Sequence, residues 1–292
     1  MKSDKKIGIV DFGGQYAHLI SSRTRRLGAY TEILSPNEEI NRYKEFSGLI
    51  FSGGPNSVYE KDSPTISKDV LEMNIPILGI CYGHQLLMKL LGGEVRPSEL
   101  REYGPALMNF TDPDLPLFRG LSKNEKVWMS HGDEVVKIPE NFVTVGRSDN
   151  CENAAVYDKS RNIYGIQFHP EVTHTPNGNI LLSNFIRLCN ASDTWNMRIF
   201  LEKKLDEIRA KVLSDKKVFM LISGGVDSTV SYLLLVKALG QDRVTGLLID
   251  TGFMRKNEVA LLHDKLTSLG IELNVSDYSE QFYSSLENVK DP

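Results

Sequence analysis

Cysteine is scarce in this chain: 3 of its 292 residues, Cys81, Cys151 and Cys189. So sparse and odd a set argues against a disulfide framework and leaves reactivity as the reason for any special cysteine. Long apolar runs are missing too. The richest, Ile75 to Ile80, has the length of a strand, far short of the roughly 18 to 20 residues that a membrane helix needs. The charged start MKSDKKIGIV lacks the apolar stretch and small-residue cleavage site of a secretory signal. A cytoplasmic protein with no membrane partner is therefore expected. Excess charge of one sign is also lacking, since 34 Lys and Arg against 38 Asp and Glu leave −4. That balance argues against a nucleic-acid partner, which requires a dense positive face. Neither paired CxxC nor HExxH spacing occurs, so a zinc site is a poor expectation.

What is present is the make-up of an ordinary globular chain, 41% hydrophobic and 25% charged, long enough for two domains each with its own core. KIGIV at 6–10 reads as a strand closed by Asp11, Gly13 and Gly14, with a helix over 18–27 ended by Gly28. A strand at 48–51 runs into Ser52, Gly53, Gly54 and Pro55, and a strand at 76–80 runs directly into a helix at 83–91. Such alternation predicts an open, mostly parallel α/β sheet flanked by helices, with functional loops at the carboxyl ends of the strands. From about Val95 to Gly165 the pattern turns to short β segments such as 126–130 and 142–147, and 179–189 reads as a closing helix. Polar residues 190–194 precede an amphipathic stretch with Ile199, Leu205, Ile208 and Val212 near one face. This places a first domain at 5–195 and a second at 196–292. In the second, strands at 217–222, 244–249 and 271–275 alternate with helices at 228–239 and 261–269, the start of another parallel α/β sheet.

ILGICYGHQ at 77–85 is an apolar strand that stops at Cys81 and turns into a helix. A sharp strand-to-helix turn lifts the side chain off the sheet, and the positive end of the helix favours a thiolate. The competing reading is a cysteine packed at a strand end. IYGIQFHPE at 163–171 ends in His169, Pro170 and Glu171. A histidine near a thiol can deprotonate it, and a carboxylate on the other ring nitrogen fixes the tautomer; in extended chain Glu171 shares a side with His169. FSGGPNS at 51–57 offers bare glycine amides that, with the amide of Tyr82, can stabilise an oxyanion.

GICYGHQ, SGGP, WMSHGD at 128–133 and QFHPEVTHT at 167–175 together resemble the class I (triad) glutamine amidotransferases over about 190 residues. The resemblance implies Cys81 as nucleophile, His169 as base and Glu171 as its orienting carboxylate. It further implies that the Gly54 and Tyr82 amides form the oxyanion hole and that Gln85 and the backbone around Ser130 and His131 hold glutamine.

VFMLISGGVDST at 218–229 sets glycines and hydroxyls between a strand and a helix start. Free amides and a helix N-terminus attract phosphate, with Ser223, Ser228 and Thr229 as further donors and Asp227 suited to Mg²⁺. No GxxxxGK follows, which excludes the usual kinase or GTPase loop. SGGVDS, taking in Gly224, Gly225 and Val226, resembles the pyrophosphate loop of the N-type ATP pyrophosphatases, implying ATP and Mg²⁺ as cofactors. LLIDTGFMRKNE at 247–258 is similar to a later segment of that family, which attaches Asp250 and Arg255 to the nucleotide, while Lys256 and Glu258 read as a solvated loop. The order of the two parts resembles the family of glutamine-hydrolysing GMP synthetases, ATP-dependent carbon–nitrogen ligases of purine biosynthesis that aminate XMP and form homodimers. Only 76 residues follow Lys216, fewer than the roughly 100 to 150 of a complete nucleotide-binding domain. The second domain is therefore expected to be incomplete, and the XMP-binding, dimer-forming region absent. A glutaminase subunit feeding a separate synthetase, or a nucleotide-sensing module with a vestigial site, are the alternatives.

Overall fold

The computed structural model describes residues 5–287 and 289. The opening MKSD, read above against a secretory signal, and the last residues of the 196–292 domain lie outside that set. The chain divides into two compact units, one ending at Asn196 and the other starting at Met197.

The first unit contains β1 (Ile7–Val10), α1 (Ala17–Arg26), β2 (Thr31–Leu34), α2 (Ile40–Tyr43), β3 (Gly48–Phe51), β4 (Ile77–Ile80), α3 (Tyr82–Leu90), β5 (Glu94–Phe110), β6 (Asn124–Lys137), β7 (Val143–Arg147), β8 (Ala155–Asp158), β9 (Ile163–Ile166) and α4 (Gly178–Leu188). Its strands form one sheet in the order β2-β1-β3-β4-β9-β8-β7-β5-β6. Pairing is parallel from β2 to β9 and antiparallel from β9 onward to β6. The parallel part is buried on both faces, which is why IGIV, GLIF, ILGI and IYGI are unbroken apolar runs. Alternate residues feed opposite cores. Ile9, Ile50, Leu78, Ile80 and Ile166 pack with α1 and α4; Val10, Leu49, Phe51, Ile77 and Ile163 pack with Tyr82, Leu86 and Leu87 of α3.

The short β segments expected between 95 and 165 are in fact dominated by one long hairpin of β5 and β6. Pro97 and Pro105 disguised it, because a proline inside a strand normally argues against one. Here β5 meets β7 only at Asn109 and Phe110, so both prolines lie where β5 has a single neighbour.

Register positions the site. Val10 lies opposite Phe51, Phe51 opposite Gly79, and Ile80 opposite Ile166. The parallel strands thus end together, and the residues that follow them emerge along one edge.

The second unit contains α5 (Met197–Lys211), β10 (Val218–Ile222), α6 (Val226–Leu239), β11 (Val244–Asp250), α7 (Glu258–Ser268), β12 (Asn274–Asp277) and α8 (Ser279–Leu286). Its three strands pair in parallel in the order β10-β11-β12. Ile222, Tyr232, Val244, Leu248, Leu266 and Leu273 make a small core, while Phe219 and Leu221 on the alternate positions of β10 are 61% and 59% exposed. Of the four apolar residues expected along one face of α5 and its end, Leu205 is buried and Ile199, Ile208 and Val212 are half-buried. The third strand begins later than the expected 271–275. Gly270, at φ 73°, and Ile271 return their amides to Thr267 and Leu266 to close α7, an ending that uses up the residues read as strand.

Gly83 in the first turn of α3 shows how tightly the turn from β4 into α3 is fitted. A Cβ there would press on the Phe51 carbonyl and lie 2.6 Å from the Phe51 Cβ. Gly83→Ala should lower the unfolding free energy by about 1 to 3 kcal/mol, measured by urea denaturation; a midpoint equal to the wild type would contradict this close approach.

Candidate active site

Cys81 directly follows β4 and caps α3 with φ 53° and ψ −107°. Such a conformation is costly for a residue with a Cβ, by about 1 to 3 kcal/mol, and persists only where the surroundings fix it. They do so here. The Cys81 amide donates to the Ile166 carbonyl of β9 at 2.8 Å, its carbonyl takes the Gln85 amide at 3.1 Å, and Gly83 donates to the Ser52 carbonyl at 3.1 Å. The thiol is 6% exposed. Its Sγ lies 3.5 Å from the Ser130 carbonyl and 3.6 Å from Gln167 Nε2.

His169 follows β9 by three residues and is held by its main chain. Its amide donates to the Trp128 carbonyl at 3.0 Å, and its carbonyl accepts from Thr175 Oγ1 at 2.6 Å. Thr175 Oγ1 in turn accepts from the Trp128 amide at 3.0 Å. The Tyr16 ring packs edge-on at 5.3 Å. His169 Nδ1 meets Glu171 Oε1 at 2.7 Å, with Glu171 fully buried. This contact is made in a turn and not along an extended strand, so the alternation argument identified the partner through the wrong local geometry. Burial opposes an imidazolium at His169, but hydrogen bonds to Cys81 and Glu171, and the charges of both, overcome it and hold the pKa well above the ordinary histidine value. Stability from protonated His169 is therefore complete below about pH 6.5 and is lost as pH rises through the raised value.

Gly53 lies between these groups. A Cβ on it would sit 3.2 Å from His169 Cε1 and 3.7 Å from the Cys81 Cβ, so a side chain there would crowd the imidazole. Gly54, Cys81, Tyr82, Gln85, Ser130 and His131 line one cleft of about 500 Å³, together with Arg101, Tyr103 and Asp133. His169 and Glu171 are not part of that lining. The Tyr82 amide opens α3 and has no intrahelical acceptor. Gln85 is committed inward: its Nε2 donates to the Asp133 carbonyl at 3.0 Å and to Gln167 Oε1 at 3.1 Å. Sequence reasoning passed over Gln167, Thr175 and Tyr16. Gln167 stands two positions before His169, and that spacing was its available signal.

In the second unit, residues 223–229 join β10 to α6. Gly224 has φ 84° and Gly225 caps the helix. The amides of Val226, Asp227 and Ser228 open α6 and lack intrahelical acceptors. The expected hydroxyl donors are engaged within the loop: Ser228 and Thr229 donate to the Gly225 carbonyl at 3.1 and 2.9 Å, and the Ser223 and Ser228 hydroxyls are 3.1 Å apart. Asp227 is exposed in the first turn. Asp250 Oδ1 accepts from the Gly252 amide at 2.9 Å, and Glu258 Oε2 from the Arg255 amide at 3.0 Å. Glu258, expected in a solvated loop, thus shapes the entry to α7.

Residues 8–189 match the family model described as glutamine amidotransferase class-I, and residues 196–291 match one described as NAD synthase. The chain is 56% identical over 289 residues to a Leptospira interrogans protein named "Probable GMP synthase (glutamine-hydrolyzing)", covering 99% of this chain and 48% of the relative. It is 46% identical to the Staphylococcus saprophyticus GMP synthase (glutamine-hydrolyzing), covering 100% of this chain and 57% of that one. The chain thus spans about half the length of the curated relatives it matches. Among solved structures, a "putative GMP synthase subunit" from Thermoplasma acidophilum superposes with TM-score 0.57 at 33% identity, over 64% of this chain and 94% of that one. A Thermotoga maritima glutamine amidotransferase shares the fold at 19% identity and TM-score 0.52, over 64% and 98%.

Glu171→Gln removes the charge beside His169 and should lower the histidine's titration midpoint, followed by NMR of the ring. An unchanged midpoint would show that Glu171 does not hold the imidazolium.

Proposed function

The chain belongs to the glutamine amidotransferase class-I family, and from that premise we propose that its first unit hydrolyses glutamine through a Cys81–His169–Glu171 triad. The observation that carries the reading is the 2.7 Å contact of Glu171 with His169, whose pKa Cys81 also helps to raise from its strained turn at the edge of a cleft. The Cys81 sulfur attacks the side-chain amide carbon of glutamine while His169 holds the thiol proton. The oxyanion that forms is met by the amides of Gly54 and Tyr82, each such donor being worth about 100- to 1000-fold in rate. His169 passes its proton to the departing nitrogen, releasing ammonia and leaving a γ-glutamyl thioester. Water, deprotonated by His169, attacks that thioester; glutamate leaves and the thiol is restored. Glu171 keeps Nδ1 protonated so that Nε2 does this work.

For the second unit the reading is an adenylating site. The helix-opening amides of α6 suit the phosphates of ATP, supported by the match of 196–291 to the NAD synthase model. Asp227, exposed beside those amides, would hold Mg²⁺ through its carboxylate, an oxygen donor of the kind this cation prefers. When bound, ATP·Mg²⁺ would supply an adenylyl group to a carbonyl oxygen with loss of pyrophosphate, opening the carbon that bears it to attack by ammonia with loss of AMP. The overall reaction proposed is XMP, ATP, glutamine and water to GMP, AMP, pyrophosphate and glutamate, supported by the relatives' names. XMP recognition is assigned to polypeptide in the other half of the relatives' length. The Thermoplasma chain, named as one subunit of a GMP synthase and matched to the first unit, favours a second arrangement, a glutaminase passing ammonia to a separate partner.

Glutamate release from glutamine by this chain should fall at least about a thousandfold in Cys81→Ala; release that survives the substitution would remove Cys81 from the reaction. Asp227→Ala should weaken Mg²⁺-dependent ATP binding about tenfold, equivalent to about 1.4 kcal/mol, by calorimetry. Equal affinity in both proteins would detach Asp227 from the nucleotide.

A further inference from the structure

His131 of the cleft lining belongs to a second histidine–carboxylate pair, one that the triad does not use. His131 of β6 and Glu102 of β5 face each other across the hairpin, and their side chains are only 1% and 8% exposed. His131 Nε2 is 3.2 Å from Glu102 Oε2, and Nδ1 is 3.0 Å from the Asp133 carbonyl. Both partners are acceptors. A neutral imidazole offers one N–H and one bare nitrogen, so with Glu102 ionised this arrangement is satisfied when both ring nitrogens donate. Glu102 is shaped to hold that charge, accepting also from Ser148 Oγ at 3.1 Å on each oxygen and from Asn150 Nδ2 at 3.3 Å. On the other side of the ring, the Asp133 carbonyl takes Gln85 Nε2 as well.

The pair stands where the hairpin needs fixing. Pairing of β5 with β6 is irregular between Pro97 and Glu102, and the Glu102–His131 rung restarts it. The segment that follows from Ser130 to Asp133 is a wall of the cleft, and its carbonyls receive Cys81 Sγ and Gln85. A buried ion pair is weak evidence for stability but a good device for register, because displacing either partner strands a charge.

We infer that Glu102 and His131 are positioning residues that set the Ser130–Asp133 wall of the cleft, with His131 donating from both ring nitrogens. This rests on the reading that the wall faces glutamine. Glu102→Ala and His131→Phe should each raise KM for glutamine about tenfold, with kcat changed by less than about threefold, the cost of a misplaced acceptor falling on binding. Glu102→Gln should recover most of the loss, since its amide can donate to Nε2 while Nδ1 keeps the Asp133 carbonyl. NMR of ¹⁵N-labelled histidine should show protons on both ring nitrogens of His131 in the wild type and on one in Glu102→Gln. An unchanged KM, or a bare ring nitrogen in the wild type, would each overturn the inference. A wild-type chain that shows both ring protons but releases no glutamate would instead overturn the glutaminase reading.

Discussion

The register of β4 against its two parallel neighbours is the constraint on which the site depends. Cys81 is the first residue beyond β4, Gly53 lies two beyond β3 and His169 three beyond β9. Hydrogen-bonded rungs such as Phe51 with Gly79 and Ile80 with Ile166 bring those three positions to one edge. A strand slip of one residue would turn every side chain to the other face, exchanging the two cores that α3 and the α1/α4 pair cover. The hydrophobic pattern of the strands therefore fixes the register, and the register aligns the reacting groups. The positive φ at Cys81 is stabilised by the same rungs, because the Cys81 amide is itself bonded to β9.

Magnitudes explain why the polar interior takes the form of pairs. An isolated buried ion costs several kcal/mol, and removing one partner of a buried pair costs about 3 to 5 kcal/mol. His169 with Glu171 meets this by direct contact. His84 shows the other solution. It is fully buried on α3 with Nε2 donating to the Asn153 carbonyl at 3.1 Å, and burial pushes its pKa down to about 3, keeping the ring neutral. Cys151 is buried, and that burial, with the charges of nearby carboxylates, lifts its thiol to about 12.

The parallel strands were legible in the sequence because burial on both faces leaves unbroken apolar runs between glycines, as in ILGI and IYGI. Cys81 was legible because the strand-to-helix turn is local. The long hairpin was not, since its register is set by cross-strand partners such as Glu102 and His131, 29 residues apart, and its prolines read as breaks. Thr175 and Gln167 were hidden for the same reason: what they do depends on Trp128, Gln85 and Cys81, all far away in sequence. In the second unit the alternation of strand and helix was readable, but the start of β12 was misplaced because closing α7 consumed apolar residues that looked like strand.

The central claim is that one thiol of three is poised to attack a glutamine side chain. Exposure of the chain to a diazoketone analogue of glutamine, followed by peptide mass mapping, tests it directly. The account predicts a single adduct on Cys81, none on Cys151 or Cys189, suppressed by excess glutamine and absent in His169→Ala. Labelling spread over the three cysteines, or labelling of Cys81 that neither glutamine nor the loss of His169 alters, would contradict it.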